Sequence, residues 1–248
     1  MFKKLAFALA VAAALPASAL TTGDIAFTAF NADEDGFAMV ALASVAANTK
    51  VYFSDNEWSG TAFNTGESFS SWVSGAAVIN AGTVIRFSKT DSATLLAASV
   101  GTLARETVAS SSNWGFSQTE DTLYAYLGTG ATAATTFLAA ISSSTYGSAA
   151  GGSLSNTGLS IGAGAVQLAF GSDYAQYSGA RAGQASFAGY KALVSNVANW
   201  TDSGDGSFAT AVPNTTAFSV TAVPEPESYA LMLSGLAAIG LLVARRRA

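Results

Sequence analysis

An all-β sandwich with one or two short helices is the fold that this 248-residue sequence predicts, and three observations carry it. Short apolar runs recur between turns. Several of them are apolar at consecutive rather than alternate positions. Between them the chain is dense in Ser, Thr, Gly and Asn, with only 11% charged residues. Apolar runs of roughly four to eight residues bounded by turn residues are strand-sized. A strand that is apolar on both faces must be covered on both, as happens inside a layered sheet structure rather than on an open sheet.

The expected strands are Ile25–Phe30, Phe37–Leu42, Val51–Phe53, Val84–Phe87, Leu123–Leu127, Phe137–Ile141, Val166–Phe170 and Phe218–Val220. Asn31 to Gly36 then becomes a hairpin connection, and Asn80-Ala81-Gly82 a turn before the next strand. One helix is expected over Ser186–Ala198, where Phe187, Tyr190, Leu193, Val194 and Val197 fall at helical spacing. From Ser142 to Gly164 the chain thins into Ser, Gly and Ala, which fits a long loop or weak edge strands.

The sequence has no Cys, so its stability must come from a core rather than from disulfides, and a body of this length can bury one. It also has no His, which removes the usual general base, the commonest metal ligand and the Ser-His and Cys-His nucleophile pairs. The basic residues lie disproportionately at the two ends, leaving the body six basic and fourteen acidic residues, a net charge of −8. Such a surface repels phosphate backbones, so nucleic acid is not an expected partner.

Both ends carry export signals. Lys3 and Lys4 precede an apolar stretch from Leu5 to Leu15, then Pro16 and Ala17-Ser18-Ala19, the pattern of a signal peptide cut after Ala19. At the other end Val223-Pro224-Glu225-Pro226-Glu227 interrupts regular structure. An uncharged segment, Ser228 to Ala244, follows, and then Arg245, Arg246 and Arg247. That segment is expected to form a short membrane helix with the arginines on the cytoplasmic side. The chain thus divides into a signal peptide with its helix at 1–19, an exported β-rich body at 20–222 and a tail at 223–248.

Val-Pro-Glu-Pro, a short apolar helix and Arg-Arg-Arg-Ala, in that order, resemble the PEP-CTERM sorting signal. The resemblance implies passage through the Sec machinery, a transient anchor in the inner membrane and recognition by an exosortase. Pro224, Glu225 and Pro226 would be the recognition element and Arg245–Arg247 the cytoplasmic stop, and the body would end on the cell surface or in the extracellular matrix, with exopolysaccharide as the candidate companion. Glu227 stands where the family commonly has Ser, Ala or Thr. The amino half of the body, from Gly23-Asp24-Ile25-Ala26-Phe27 through Phe37-Ala38-Met39-Val40-Ala41-Leu42 to Ser54-Asp55-Asn56-Glu57-Trp58, resembles lamin-tail, immunoglobulin-like sandwiches. That second resemblance implies a binding or structural role.

Candidate sites are few. Asn31, Asp33 and Asp35 match the first half of an EF-hand loop with Gly36 at the sharp turn, but its twelfth position is Leu42 where a bidentate Glu is required. Two readings stay open there, a solvated acidic turn and a looser Ca²⁺ site. Asp202-Ser203-Gly204-Asp205-Gly206 is a second acidic loop, also explicable as an ordinary turn. Asp55 and Glu57 invite comparison with a glycosidase pair but show no partner across a cleft. Trp58, Trp72, Trp114 and Trp200 are either core residues or a sugar-stacking face. No catalytic residue is therefore expected and no cofactor is required. The role that follows is structural or adhesive, with a hydrolase of matrix polymers or a calcium- or carbohydrate-binding module as alternatives. Amino-terminal sequencing of the exported form is expected to begin at Leu20; a chain still beginning at Met1 would overturn the cleavage after Ala19.

Overall fold

The alternation of side chains along a strand sends successive residues to opposite faces, so a strand with large apolar groups at every position needs two partners. The structure, a computed structural model that describes residues 19–109, 111–221 and 226–245, meets this requirement by building two cores on one sheet. In chain order the strands are β1 (Ile25–Asn31), β2 (Gly36–Ala41), β3 (Lys50–Ser54), β4 (Phe69–Val73), β5 (Val84–Ser88), β6 (Ala97–Ala98) and β7 (Thr102–Arg105). They continue with β8 (Thr122–Gly130), β9 (Ala133–Ser142), β10 (Ser160–Ile161), β11 (Gly164–Gln167), β12 (Tyr174–Tyr177) and β13 (Trp200–Asp202). The helices are α1 (Tyr190–Ser195) and α2 (Pro226–Arg245).

One sheet runs β13-β12-β1-β2-β5-β6 and the other β10-β11-β9-β8-β3-β4-β7. Pairing is antiparallel except where β11 lies parallel to β9 and β10. The sheets pack through a ring cluster in which Phe37 of β2 meets Phe53 of β3 at 4.9 Å and stacks on Phe87 of β5 at 4.5 Å. Trp72 of β4 approaches Phe87 edge-on at 5.9 Å. This is the first core. Val51, Phe53, Leu123, Ala125 and Ile141 point into it, whereas their neighbours Tyr52, Tyr124, Tyr126 and Ala140 point the other way, into a second core.

No sheet covers that second core. Trp58 and Phe63 from the β3–β4 loop and Leu159 from the segment before β10 close over Tyr124, Tyr126 and Phe137. The start of the described chain is drawn into the first core, with Leu20 buried and the Gly23 amide donating to the Leu138 carbonyl at 2.9 Å. The outermost strands β6, β7, β10 and β13 have only two to four residues, which leaves little free edge for another chain to pair with.

Six of the eight expected strands appear with shifts of one to four residues at their ends, and the Asn31–Gly36 hairpin forms with those two residues paired. Two expectations need correction. The strand expected over Val166–Phe170 is Gly164–Gln167, because the chain turns at Gly171 and leaves Phe170 67% exposed. Phe218–Val220 is not a strand: Phe218 is buried, but the segment is held by separate bonds to Gly82, Arg181 and Gln184 rather than by a ladder. The helix expected over Ser186–Ala198 is broken into a 3₁₀ turn, α1 and a second 3₁₀ turn. The break falls at Asn196, whose side chain accepts from the Ala198 amide instead of continuing the helix. Tyr190 and Val194 are buried as their spacing requires, and Val197 is exposed.

Phe37 touches the rings of Phe27, Phe53, Phe87 and Phe116 and so binds both sheets. Phe37→Ala is expected to lower the unfolding free energy by about 3–5 kcal/mol in urea titration. A loss below about 1 kcal/mol would mean that the sheets do not depend on this cluster.

Candidate functional site

Three places gather polar side chains: the corner after β3, the acidic hairpin between β1 and β2, and the tail. At the corner, Asp55 Oδ1 accepts from both the amide and the hydroxyl of Ser68, each at 2.7 Å. Asn56 accepts from the Glu67 amide at 3.1 Å and donates to the Ser68 carbonyl at 2.9 Å. The pair thereby clamps the two ends of the loop that carries Trp58 and Phe63. Trp58 donates through Nε1 to the Ser155 carbonyl at 2.9 Å, tying this loop to the one after β9.

Between the two loops lies a shallow cavity of about 340 Å³ lined by Glu57, Trp58, Ser59, Asn64, Gly147, Ser148, Ala149, Gly152 and Ser153. Gly152 is required here. Its φ is +57°, and a Cβ would come within 2.4 Å of the Tyr124 hydroxyl. Glu57 is the one ionisable residue of that lining among the described residues. Asp55 is 1% exposed with its oxygens turned to Ser68 and the interior, so Asp55 and Glu57 are not opposed across a cleft as a glycosidase pair would be.

Asp55 follows β3 and Asp121 precedes its antiparallel neighbour β8, so both carboxyls arrive at one end of the sheet, where the negative field of Glu67 reaches each of them. Burial, and secondarily these like charges, push Asp55 and Asp121 well above the ordinary carboxylate range. Glu67 is raised to about 7 by burial and by Glu57. Oδ2 of Asp55 and Oε2 of Glu67 are buried without a donor.

At the hairpin the structure brings each sequence candidate against a neighbouring loop. Asn31 donates to the Phe208 carbonyl at 3.0 Å and accepts from the Glu34 amide at 3.0 Å. Asp33 accepts from the Phe208 amide at 2.5 Å and the Gln118 side chain at 2.6 Å. Asp35, in the left-handed region at φ +53°, accepts from the Phe116 amide at 2.6 Å. Burial, ahead of the neighbouring charges, raises it to about 6. Glu34 pairs with Arg86. These groups staple loops, and among the described residues no three Asp, Glu, His or Cys side chains gather closely enough to hold a metal by themselves. Asp202 likewise accepts from Ser172, Gly204 and Ala169. Sequence reasoning missed Asp173, which lies beside the 202–206 loop.

The four tryptophans do not form a sugar-stacking face. Trp58, Trp72 and Trp200 are buried, and Trp114 lies under the Arg105 guanidinium at 4.4 Å from its ring centre.

The raised carboxyls fix a pH dependence. A group whose folded pKa lies above its unfolded one, about 4, stabilises the fold fully below that value, and the contribution is lost as pH rises through the folded pKa. With Asp35 at about 6 and Glu67 at about 7, the thermal midpoint is expected to fall as pH is raised from about 4 to about 8. Glu67→Gln should remove the part of the fall near pH 7, which differential scanning calorimetry would detect. A midpoint that climbs across this range would overturn the assignment.

The tail is the remaining feature. Pro226 opens α2, where its missing amide and fixed φ suit a first helical residue, and Arg245 closes it, where a cation complements the helix carboxyl end. Each α2 side chain that the structure describes is exposed, including Leu231, Leu233, Leu236 and Ile239. Among the described residues no helix is long and apolar enough to cross a membrane, so the expected span over Ser228–Ala244 appears as a helix of that extent without that property. The signal peptide, Pro224, Glu225, Arg246 and Arg247 lie outside the described residues, as does Ala17; Ala19 is the first that is described. Comparison with curated proteins and with solved structures gave no match. The lamin-tail likeness therefore stays a sequence resemblance. Against family models, residues 222–247 match the PEP-CTERM protein-sorting motif, which is consistent with a substrate of an exosortase.

Proposed function

We propose that this protein is a non-catalytic structural or adhesive component of the extracellular matrix or cell surface, delivered by a tail that holds it only briefly at the inner membrane. The observation that carries the reading is the coincidence of the sorting motif at 222–247 with a helix whose described side chains are not covered by the sandwich. A helix of twenty residues is about 30 Å long, the thickness of a hydrocarbon core. Gly235 and Gly240 lower its helix propensity, and its described hydropathy falls short of a stable span. Those are the properties of an anchor built to pause and be cut. Proline disfavours helix in the residue before it, so the Pro-Glu-Pro sequence suits recognition as a linear motif by a membrane-embedded processing enzyme.

A passive role for the body is favoured by the chemistry of its cavity, where Glu57 stands without an opposed acid or base, and by a sequence without His or Cys. The Sec machinery and exosortase are the partners of transit, and exopolysaccharide is the partner at the destination. Replacing Pro224, Glu225 and Pro226 with Ala should leave insertion intact and trap the full-length chain in the inner membrane. Deleting 228–248 should release the body into the periplasm without surface delivery. Mass spectrometry of wild-type surface material is expected to find Arg245–Ala248 removed; their retention would replace processing with a simple tail anchor.

A further inference from the structure

The two acidic loops that looked unrelated in sequence, the 31–36 hairpin and the 202–206 turn, meet at Asp173. Its amide donates to the Gly204 carbonyl at 3.1 Å, and its carbonyl accepts from the Ala32 amide at 2.7 Å. Its side chain is 2% exposed. Oδ2 accepts from the Gly206 amide at 2.9 Å, but Oδ1 is sealed from solvent with no donor. The Asp205 carboxylate stands within hydrogen-bonding reach of Asp173, and the other charge that acts on it is Asp33, also negative.

Two carboxylates in contact repel unless a proton or a cation lies between them, and a buried oxygen without a donor costs its full desolvation. Asp205 is exposed and lines a shallow cavity of about 440 Å³ with Gln118, Thr119, Phe170 and Gly171, so one carboxylate of the pair is open to a dissolved ion. Gln118, which lines the same cavity, donates through its amide nitrogen to Asp33, so its carbonyl oxygen is not engaged in that bond.

We propose that Asp173 Oδ1 and the Asp205 carboxylate form a low-affinity site for Ca²⁺, completed by the Gln118 carbonyl oxygen and water, with Asp33 adding negative charge. The ligands are all oxygen, which selects a hard cation. Their irregular placement suits Ca²⁺, whereas Mg²⁺ demands a near-ideal octahedron and gives up water reluctantly. Two carboxylates place the dissociation constant in the range of extracellular modules, about 10⁻⁴–10⁻³ M. An exported protein meets such concentrations, a link that rests on the tail reading; the site itself does not. Bound Ca²⁺ would fasten the hairpin between β1 and β2 to the 202–206 loop and so to the strand β13.

The full-length chain purified in detergent is the material for the test. Addition of about 5 mM CaCl₂ over EDTA should raise the thermal midpoint by about 2–4 °C, with a smaller effect of MgCl₂. Tb³⁺ bound at the site should show luminescence sensitised by Tyr174, the next residue in the chain. Asp205→Asn, in an exposed loop where the fold is not at stake, should weaken Ca²⁺ binding at least about tenfold and quench the Tb³⁺ signal. Asp173→Asn should do the same, and Asp55→Asn, at a buried carboxyl group elsewhere in the fold, should leave the Ca²⁺ response intact. A midpoint indifferent to Ca²⁺, or a response that survives Asp205→Asn, would overturn the proposal and leave a shared proton as what satisfies the Asp173–Asp205 pair. Neither outcome bears on processing of the tail, which is read separately by mass spectrometry.

Discussion

Everything in this fold depends on the sheet strands β3, β8 and β9 being buried on both faces. Val51, Phe53, Leu123 and Ile141 hold the facing sheet, and Tyr52, Tyr124, Tyr126 and Phe137 hold the loops. The first contact is the familiar one between two sheets. The second is less usual, because a loop layer brings backbone groups that must be satisfied wherever it is buried. The chain meets that demand by tying loop to loop. Ser153 donates to the Trp58 carbonyl at 2.8 Å, Asn156 to the Gly60 carbonyl at 2.9 Å, and Tyr124 to the Ser153 carbonyl at 3.2 Å. Without the aromatic face beneath them these loops would have no reason to be ordered, and without the loops the face would be an exposed apolar patch.

How much of this was legible follows from the range of each interaction. β2, β3, β8 and β9 announce themselves because each contains a run that is apolar at consecutive positions, a signal contained within a few residues. β4 does not: Ser70 and Ser71 dilute Phe69 and Trp72, and only pairing with β3 and β7 makes a strand of it. β12, reading Tyr-Ala-Gln-Tyr, and the short edge strands are likewise made by their neighbours, since β propensity records fit to a sheet more than a local preference. The sorting motif of the tail was legible because such a signal is read as linear sequence, whereas the membrane span expected over Ser228–Ala244 has no counterpart among the described residues. The corner at Ser54–Trp58 was visible as a motif, but its work, clamping Ser68 and Glu67, was not. Asp173 gave no signal at all. It is an ordinary residue of a Gly-Ser-Asp turn until a segment about thirty residues later folds beside it.

The acidic residues supply the theme that composition alone would have misread. A chain with fourteen acidic and six basic residues in its body suggests a solvated negative surface. Instead Asp33, Asp35, Asp55, Asp121, Asp173 and Asp202 each accept a hydrogen bond from the backbone amide of a loop or turn. In a protein with no disulfide to hold its long connections, these bonds take the place of covalent staples.

That arrangement carries its own cost, and the cost explains why the carboxyl groups are set in pairs and triads at loop junctions. Asp55 and Asp121 gain from amide donors and lose from burial and from like-charged neighbours, while Glu67 meets burial and Glu57 without such a donor, so all three are raised above the ordinary carboxylate range. A disulfide would hold the loops regardless of the surroundings, whereas carboxyl staples hold them according to the protons and cations around them. The pH of the medium is thereby coupled to the order of the loops that cover the second core.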